Sequence, residues 1–490
     1  MGVPLYSIAE LRAIEQSAQR GLVAGTLMAR AGAAAAAHID ARLNRRSSIC
    51  VLAGPGNNGG DGYVTAGQLR ALQHDVTCIQ VSEPSASDAR AAFAQWCASG
   101  GRTRTDLPTE TFDLIVDALL GIGQTRPLQG KLLSAAQWIG AQHAPIVALD
   151  IPSGLHADSG SWIGAVEGVH ASSTITFIGD KPGLHTSDGV DAAGQVEVAA
   201  LGINPSVARV SLTDQWDFSQ VIQRRRRNTH KGSYGNALII GGNVGMVGAA
   251  LLAARAALRI GAGRVYVDCI GAPEFRVDPI QPELMFGSSV PPEQVQAISI
   301  GCGLGRDSAA RSALQRSLQS GASLVIDADA LNLVAANAAL AEQLGARTAP
   351  TVLTPHPLEA ARLLSCSVND VQTDRLTAAR GLAQRYRAVV ILKGAGTIVA
   401  RADGLCAINP TGGPALASAG TGDVLAGMLT GLLAQGFELW QTALASVWLH
   451  GASVYDADGV IRDVGLVASD IASRAASVLN GLRQDAASEP

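Results

Sequence analysis

Twice along this chain, short apolar runs alternate with longer segments of helical periodicity, and that alternation dictates βαβ units with parallel sheets. In the first series an Ala-rich helix from about Thr26 to Arg42 precedes an apolar run, Ile49 to Ala53. The pattern continues as helix Tyr63 to Gln73, strand Val76 to Val81, helix Ala86 to Ala98, strand Leu114 to Ala118, helix Leu128 to Gln142 and strand Ile146 to Leu149. The second series has strands at Ala237 to Ile240, Arg264 to Asp268, Ala297 to Ile300, Leu324 to Ile326, Thr351 to Leu353 and Val389 to Leu392, and ends in three helices from about Gly422. Between the two lies a polar stretch, residues 206–227, closing on Arg224 to Arg227.

A chain of 490 residues exceeds what one hydrophobic core organises, so each series is expected to be a domain, residues 1–215 and 216–490. Aromatic residues are only 4% of the chain while Gly and Ala abound, which suits helices packed closely on a parallel sheet. A formal charge of -4 leaves no basic field for nucleic acid, and the arginine run reads as a solvated linker. The seven cysteines form no C-x-x-C pair, so they read as buried, reduced thiols and not as zinc ligands or a disulfide framework. Ser7 and Glu10 have capping-box spacing at the first helix. With neither a signal-peptide pattern nor a membrane span, the expected location is the cytoplasm, away from membranes.

The segment Gly54-Pro55-Gly56-Asn57-Asn58-Gly59-Gly60-Asp61-Gly62 lies between a strand and a helix, where bare backbone N–H groups can meet a phosphate. Gly54, Gly56 and Gly59 satisfy G-x-G-x-x-G, with Glu83 at the end of the next strand; taken alone, this says dehydrogenase. The amides of Asn57 and Asn58 and the carboxylate of Asp61 argue otherwise, because a plain dinucleotide turn needs none of them. Two further strand ends carry Val116-Asp117-Ala118-Leu119-Leu120-Gly121-Ile122-Gly123 and Asp150-Ile151-Pro152-Ser153-Gly154. In an open parallel sheet ligands bind at that edge, and Asn58, Asp117 and Ser153 are of the oxygen-donor type that suits a hard cation.

These three motifs together resemble the epimerase domain of the NAD(P)H-hydrate repair enzymes, over roughly Tyr6 to Leu212. The resemblance implies a Rossmann-like three-layer domain that interconverts the R and S forms of hydrated NADH or NADPH (NADHX and NADPHX). It further implies K⁺ held by Asn58, Asp117 and Ser153. Substrate would be held by Asn57, Asn58, Gly59, Gly60, Asp61, by Gly121, Ile122, Gly123, Gln124, Thr125, Arg126, Pro127, and by Asp150, the implied acid/base group.

In the second half the informative segments are His230-Lys231-Gly232, Gly241-Gly242-Asn243, Gly248-Ala249-Ala250, Gly301-Cys302-Gly303-Leu304-Gly305 and Asp327-Ala328-Asp329-Ala330-Leu331-Asn332. They are joined by Thr354-Pro355-His356-Pro357-Leu358-Glu359, Lys393-Gly394-Ala395-Gly396-Thr397 and Gly420-Thr421-Gly422-Asp423. The last opens a helix, where N–H groups can stabilise a phosphoryl group in flight while Asp423 takes a hydroxyl proton. No Walker-type G-x-x-x-x-G-K-[ST] is present. Taken alone, a glycine-rich helix start is as often a cap, and a single loop histidine such as His356 is more often internally satisfied than a ligand. His38, His74 and His450 have no partner spacing and read as structural or exposed.

This set is similar to the ribokinase-like ADP/ATP-dependent NAD(P)H-hydrate dehydratase domain, over roughly Trp216 to Leu482. The resemblance implies a ribokinase-like α/β domain that phosphorylates and then dehydrates the S hydrate, with ADP and Mg²⁺. Substrate would meet Ala249, Gly303, His356 and Asp423, and nucleotide would meet Lys393, Gly394, Ala395, Gly396, Thr397 and Gly422. Lys231 is a further phosphate candidate. Val247 departs from the helix-start proline or small residue expected before Gly248, which puts the substrate loop in question. A homo-oligomer is implied as well. Fold alone does not fix the phosphoryl acceptor, so a small-molecule kinase fused to a non-catalytic nucleotide-binding module remains the alternative.

Overall fold

The computed structural model describes residues 2–205, 208–287, 294–456 and 458–486. It comprises two compact units, Pro4–Val210 and Ser211–Pro490 with Met1–Val3.

In the first unit the strands lie in the order Thr103–Arg104, Asp75–Gln80, Ser48–Ala53, Leu114–Ala118, Ile146–Leu149, Ser173–Phe177, Gln195–Ala199, and every pairing is parallel. Both faces are covered, which is why the central strands read as continuous apolar runs. Ile49, Val51 and Ala53 join a core with helices Thr26–Asp40 and Asn57–Ala71, while Cys50 and Leu52 join one with helix Gly130–Gly140. The strand order reverses beside Ser48–Ala53, so a crevice opens at its carboxyl end. The first helix, Ile8–Gln19, has the expected capping box between Ser7 and Glu10.

The helix expected from Tyr63 begins six residues earlier, at Asn57, inside the glycine loop. Close approach explains this: a Cβ on Gly54 would sit 1.8 Å from the Leu119 carbonyl oxygen, and one on Gly59 would sit 2.0 Å from that of Gly54. The loop is glycine-rich largely because a helix starts against backbone. Strands Ser173–Phe177 and Gln195–Ala199 lie beyond those read from the sequence; the latter is a half-exposed edge strand with little apolar signal.

In the second unit the strands run Cys406–Ile408, Ile398–Ala400, Val389–Leu392, Thr351–Leu353, Ser323–Ile326, Ala297–Ile300, Asn236–Gly241, Arg264–Cys269, Met285–Phe286. They are parallel from Val389–Leu392 onward, and antiparallel in the hairpin that carries Ile398–Ala400 and Cys406–Ile408. One face is covered by helices Val247–Arg259, Thr421–Ala434, Leu439–Ala452 and Ala468–Asp485. Thr421–Ala434 is buried from Val424 onward, so its amino end is held by a rigid core. Both halves are thus of the α/β class with parallel sheets.

Three expectations need correction. Arg225 is not a free linker residue: it donates to Gly261 O (2.7 Å) and Gln435 Oε1 (2.6 Å), and it stacks 3.7 Å from the Tyr234 ring centroid. Of the cysteines, Cys97 and Cys366 are exposed. Lys231 precedes Asn236–Gly241, so its backbone lies at the amino end of the sheet, a strand's length from the carboxyl edge. Among the described residues no helix is long and apolar enough to cross a membrane.

Candidate active sites

At the carboxyl edge of the first sheet lies a cavity of about 470 Å³. Of the residues read from the sequence, Asn57, Asn58, Asp61, Gly121, Ile122, Gly123, Gln124 and Asp150 line it. Gly59 and Gly60 are buried in helix packing, while Thr125, Arg126 and Pro127 are exposed outside the lining. Asp117 and Ser153 are fully buried behind it. Ser153 Oγ donates to Asp117 Oδ1 (2.7 Å), Ser153 N donates to Asp117 Oδ2 (2.8 Å), and Leu120 N donates to Ser153 Oγ (3.0 Å). Burial pushes the Asp117 carboxyl up to about 6 despite these bonds, which act to lower it. Asn58 is buried, and neither its amide oxygen nor its amide nitrogen has a partner. A buried amide oxygen without a partner, and a desolvated carboxylate on the adjoining strand end, are donors of the kind a hard cation satisfies.

Asp150 has φ of +69°, a conformation β-carbon residues adopt rarely, and it is held there from two sides. Its Oδ2 accepts from Ile122 N (3.1 Å) and its Oδ1 meets Lys181 Nζ at 2.9 Å. Lys181 is fully buried and also donates to Thr176 Oγ1, Phe177 O (3.4 Å) and Gly179 O (3.3 Å). Sequence reasoning missed this lysine, although Gly179-Asp180-Lys181-Pro182-Gly183 follows an apolar strand just as the other loops do. Asp61 and Glu15 face the same cavity, and both carboxyls are raised, Asp61 strongly, first by burial and then by the Asp150 charge.

The second cluster sits at the carboxyl ends of strands Ala297–Ile300, Ser323–Ile326 and Val389–Leu392 and at the start of helix Thr421–Ala434. Lys393 Nζ donates to Asp327 Oδ1 at 2.7 Å. A Cβ on Gly422 would stand 3.4 Å from that Nζ and 3.9 Å from Asp327 Oδ2, so the helix start, the lysine and the aspartate converge. Side-chain ligand atoms of Cys302, Asp327 and Asp423 all lie within 4.8 Å of one another. Burial, followed by the Asp327 charge, pushes Asp423 up to about 6, while Cys302 and Lys393 act to lower it. Burial also raises the Cys302 thiol well above its usual range, which keeps it protonated. For Lys393, burial favours the neutral amine, but the Asp327 and Glu359 carboxylates outweigh it and hold the ammonium.

The loop Lys393 to Thr397 connects the antiparallel strands Val389–Leu392 and Ile398–Ala400, and Thr397 Oγ1 donates to Gly394 O (2.9 Å). Beneath it is a guanidinium the sequence did not disclose: Arg375, 1% exposed, donates to Leu392 O (3.2 Å) and Lys393 O (3.3 Å), and burial lowers it to about 10. His356 caps helix Pro357–Leu364, its Nδ1 accepting from Leu358 N (3.0 Å) and Glu359 N (3.3 Å). Its Nε2 lies 3.2 Å from Oε1 of the buried Glu359, so both ring nitrogens are engaged within this helix start. Ala249 and Gly303 adjoin one another, a Cβ on Gly303 falling 3.1 Å from that of Ala249. Val247 opens helix Val247–Arg259 without a side-chain cap from Met246. His450, read as structural or exposed, is buried with Nε2 2.9 Å from Thr421 O, and burial lowers it to about 4. It fixes the helix start that bears Asp423.

A family model described as NAD(P)H-hydrate dehydratase matches residues 237–468, and one described as YjeF-related protein N-terminus matches residues 24–183. The bifunctional NAD(P)H-hydrate repair enzyme Nnr of Escherichia coli is 37% identical over 479 residues, which cover 94% of this chain and 90% of that protein. The chain belongs to the bifunctional NAD(P)H-hydrate repair enzymes. A second member of the repair-enzyme family, from Vibrio cholerae, is 37% identical across 97% of this chain and 98% of its own length. Among solved structures, the ADP/ATP-dependent NAD(P)H-hydrate dehydratase from Bacillus subtilis, co-crystallized with ATP/Mg²⁺, has 31% identity and a TM-score of 0.48, covering 55% of this chain and 98% of that one. Each region matched by a family model contains one of the two clusters, Asn58 to Lys181 in the first and Cys302 to Asp423 in the second.

Proposed function

We propose that the first unit, residues 1–215, epimerises the R and S forms of hydrated NADH and NADPH, and that the second, residues 216–490, dehydrates the S form with ADP, giving AMP and phosphate. The observation that carries this reading is the convergence of Asp423, Gly422 and the Lys393–Asp327 pair at one helix start.

In the dehydratase half, Asp423 accepts the proton of the ring hydroxyl as that oxygen bonds the terminal phosphorus of ADP and the bond to AMP breaks. Loss of phosphate, with a proton from the neighbouring ring carbon, restores the dihydropyridine. Lys393 Nζ and the N–H groups at Gly422 face the charge that moves. Lys393, Gly394, Ala395, Gly396, Thr397 and Gly422 hold the nucleotide, and Ala249, Gly303 and His356 hold the hydrated ring. Of this cluster, the Asp327 carboxylate is the oxygen donor that would hold Mg²⁺ brought in on ADP, where the ion would neutralise phosphate charge, and Asp423 is left to take the proton.

In the epimerase half, Asp150 moves the proton near the hydroxyl-bearing ring carbon, held in place by Lys181 and Ile122 N. Asn57, Asn58, Asp61, Gly121, Ile122, Gly123 and Gln124 form the substrate wall, and the exposed Thr125, Arg126 and Pro127 its rim. The orphan amide of Asn58, with Asp117 and Ser153, fits K⁺, which supplies positive charge beside the substrate. On the sequence grounds given above, the same proposal places the protein in the cytoplasm as a homo-oligomer.

The test is an R/S mixture of hydrated NADH with ADP, Mg²⁺ and K⁺, followed by the return of reduced-nicotinamide absorbance. Full recovery is expected. Asp423→Ala should abolish dehydration and spare epimerisation, and Asp150→Ala should do the reverse; loss of both from one well-folded variant overturns the division. A stable phosphorylated product would instead identify a kinase.

A further inference from the structure

The first unit holds a second cavity, about 410 Å³, at the amino end of its sheet, the edge opposite the epimerase cavity. Its walls come from residues at or just before parallel strand starts: Arg46 before Ser48–Ala53, Asp75 opening Asp75–Gln80, and Arg102 before Thr103–Arg104. Arg70, from the last turn of helix Asn57–Ala71, joins them, its guanidinium carbon 5.9 Å from the centroid of the Trp96 ring.

Among the described residues none of these three guanidinium groups forms an ion pair or a side-chain hydrogen bond. The acids nearby do not balance them. Asp40 is engaged by His74 Nε2 (3.0 Å), whose Nδ1 accepts from Ser47 N (3.2 Å), which leaves Asp75 as the one carboxylate of the wall. Donors exceed acceptors in a second way: the Trp96 indole N–H is buried and has no acceptor. Three exposed arginines thus line one concavity beside a single carboxylate, a surplus of positive charge that a bound oxyanion offsets. Arginine forks match phosphate oxygens in pairs, which a scattered basic surface does not do.

The structure assigns this cavity as a binding site for a small phosphorylated anion, separate from both catalytic clusters. Recognition runs through the phosphate and not through a base, because Trp96 is 3% exposed, with Arg70 over its ring and Gly101 packed so closely that a Cβ there would fall 2.2 Å from Cδ2. No aromatic face is left for stacking.

The probe is pyrophosphate, titrated into the full chain at physiological salt by calorimetry and by indole N–H NMR, with the Trp96 resonance identified through Trp96→Phe. Saturable heat and a matching shift of the Trp96 resonance are expected. The pair Arg46→Gln with Arg102→Gln should weaken binding by about tenfold or more, since each removes a charge-assisted contact, while unfolding temperature and both catalytic activities stay unchanged. An unmoved Trp96 resonance, or an affinity indifferent to the arginine pair, overturns the assignment. So does polyuridylate binding the same arginines more tightly than pyrophosphate, which would make the face a nucleic-acid contact.

Discussion

Lys181 Nζ lies 2.9 Å from Asp150 Oδ1, with the lysine fully buried and the aspartate in left-handed backbone geometry, so this pair sets where the proposed acid/base carboxylate points. Removing Lys181 leaves the Asp150 carboxylate with only Ile122 N, and removing Asp150 leaves a fully buried ammonium with neutral acceptors alone. Lys181→Met is expected to cost about 3–5 kcal/mol of stability and to abolish epimerisation, while dehydration of pure S hydrate persists. The double variant with Asp150→Asn should regain much of the stability and none of the activity, which urea unfolding and chiral chromatography of the hydrates would separate.

Asp423 must be ionised to take a proton, and burial places its carboxyl at about 6. The kcat/KM for S hydrate should therefore be flat above about pH 6 and fall roughly tenfold per unit below it. Cys302 acts to lower that carboxyl, so Cys302→Ala should move the acidic limb to higher pH. A limb that stays put in the variant would remove Cys302 from this role.

Gly54 and Gly56 look equivalent in the motif but differ in space. A Cβ at Gly54 meets the Leu119 carbonyl oxygen at 1.8 Å, whereas at Gly56, an extended N-cap residue in the cavity wall, nothing lies within 4 Å. Gly54→Ala should lose about 1–3 kcal/mol or more. Gly56→Ala should stay within about 1 kcal/mol of the parent while raising the KM for epimerisation.

If Asn58, Asp117 and Ser153 hold K⁺, replacing choline chloride with KCl stabilises the fold by binding linkage, about 2.7 kcal/mol at a hundredfold excess over Kd. The melting temperature of the parent should rise with KCl and that of Asn58→Ala should not. Equal response of both proteins would assign the site elsewhere.

The strand ends were legible because strands buried on both faces cannot hide their apolar runs, and because glycine loops mark where a helix starts against a sheet. What escaped depends on tertiary pairing. Asp327 was visible in its motif, but its partner Lys393 is 66 residues away, brought near only by strands that lie two apart in the sheet. Arg375 sits in an ordinary amphipathic helix, and nothing local marks its guanidinium as buried under Gly394. Likewise His450 has no neighbouring polar signal, since the carbonyl it holds belongs to another helix. Lys181 was the avoidable omission, because its loop follows a buried strand as the others do.

Helix Asn57–Ala71 begins within the glycine loop, so one backbone segment is at once the wall of the proposed epimerase cavity and part of the packed interior. Selection for a wider or altered substrate range cannot act on that wall as it acts on a free loop. Changes that loosen it will carry a folding defect with them, and new specificity in this half is more accessible through Arg12, an exposed residue of helix Ile8–Gln19 that lines the same cavity.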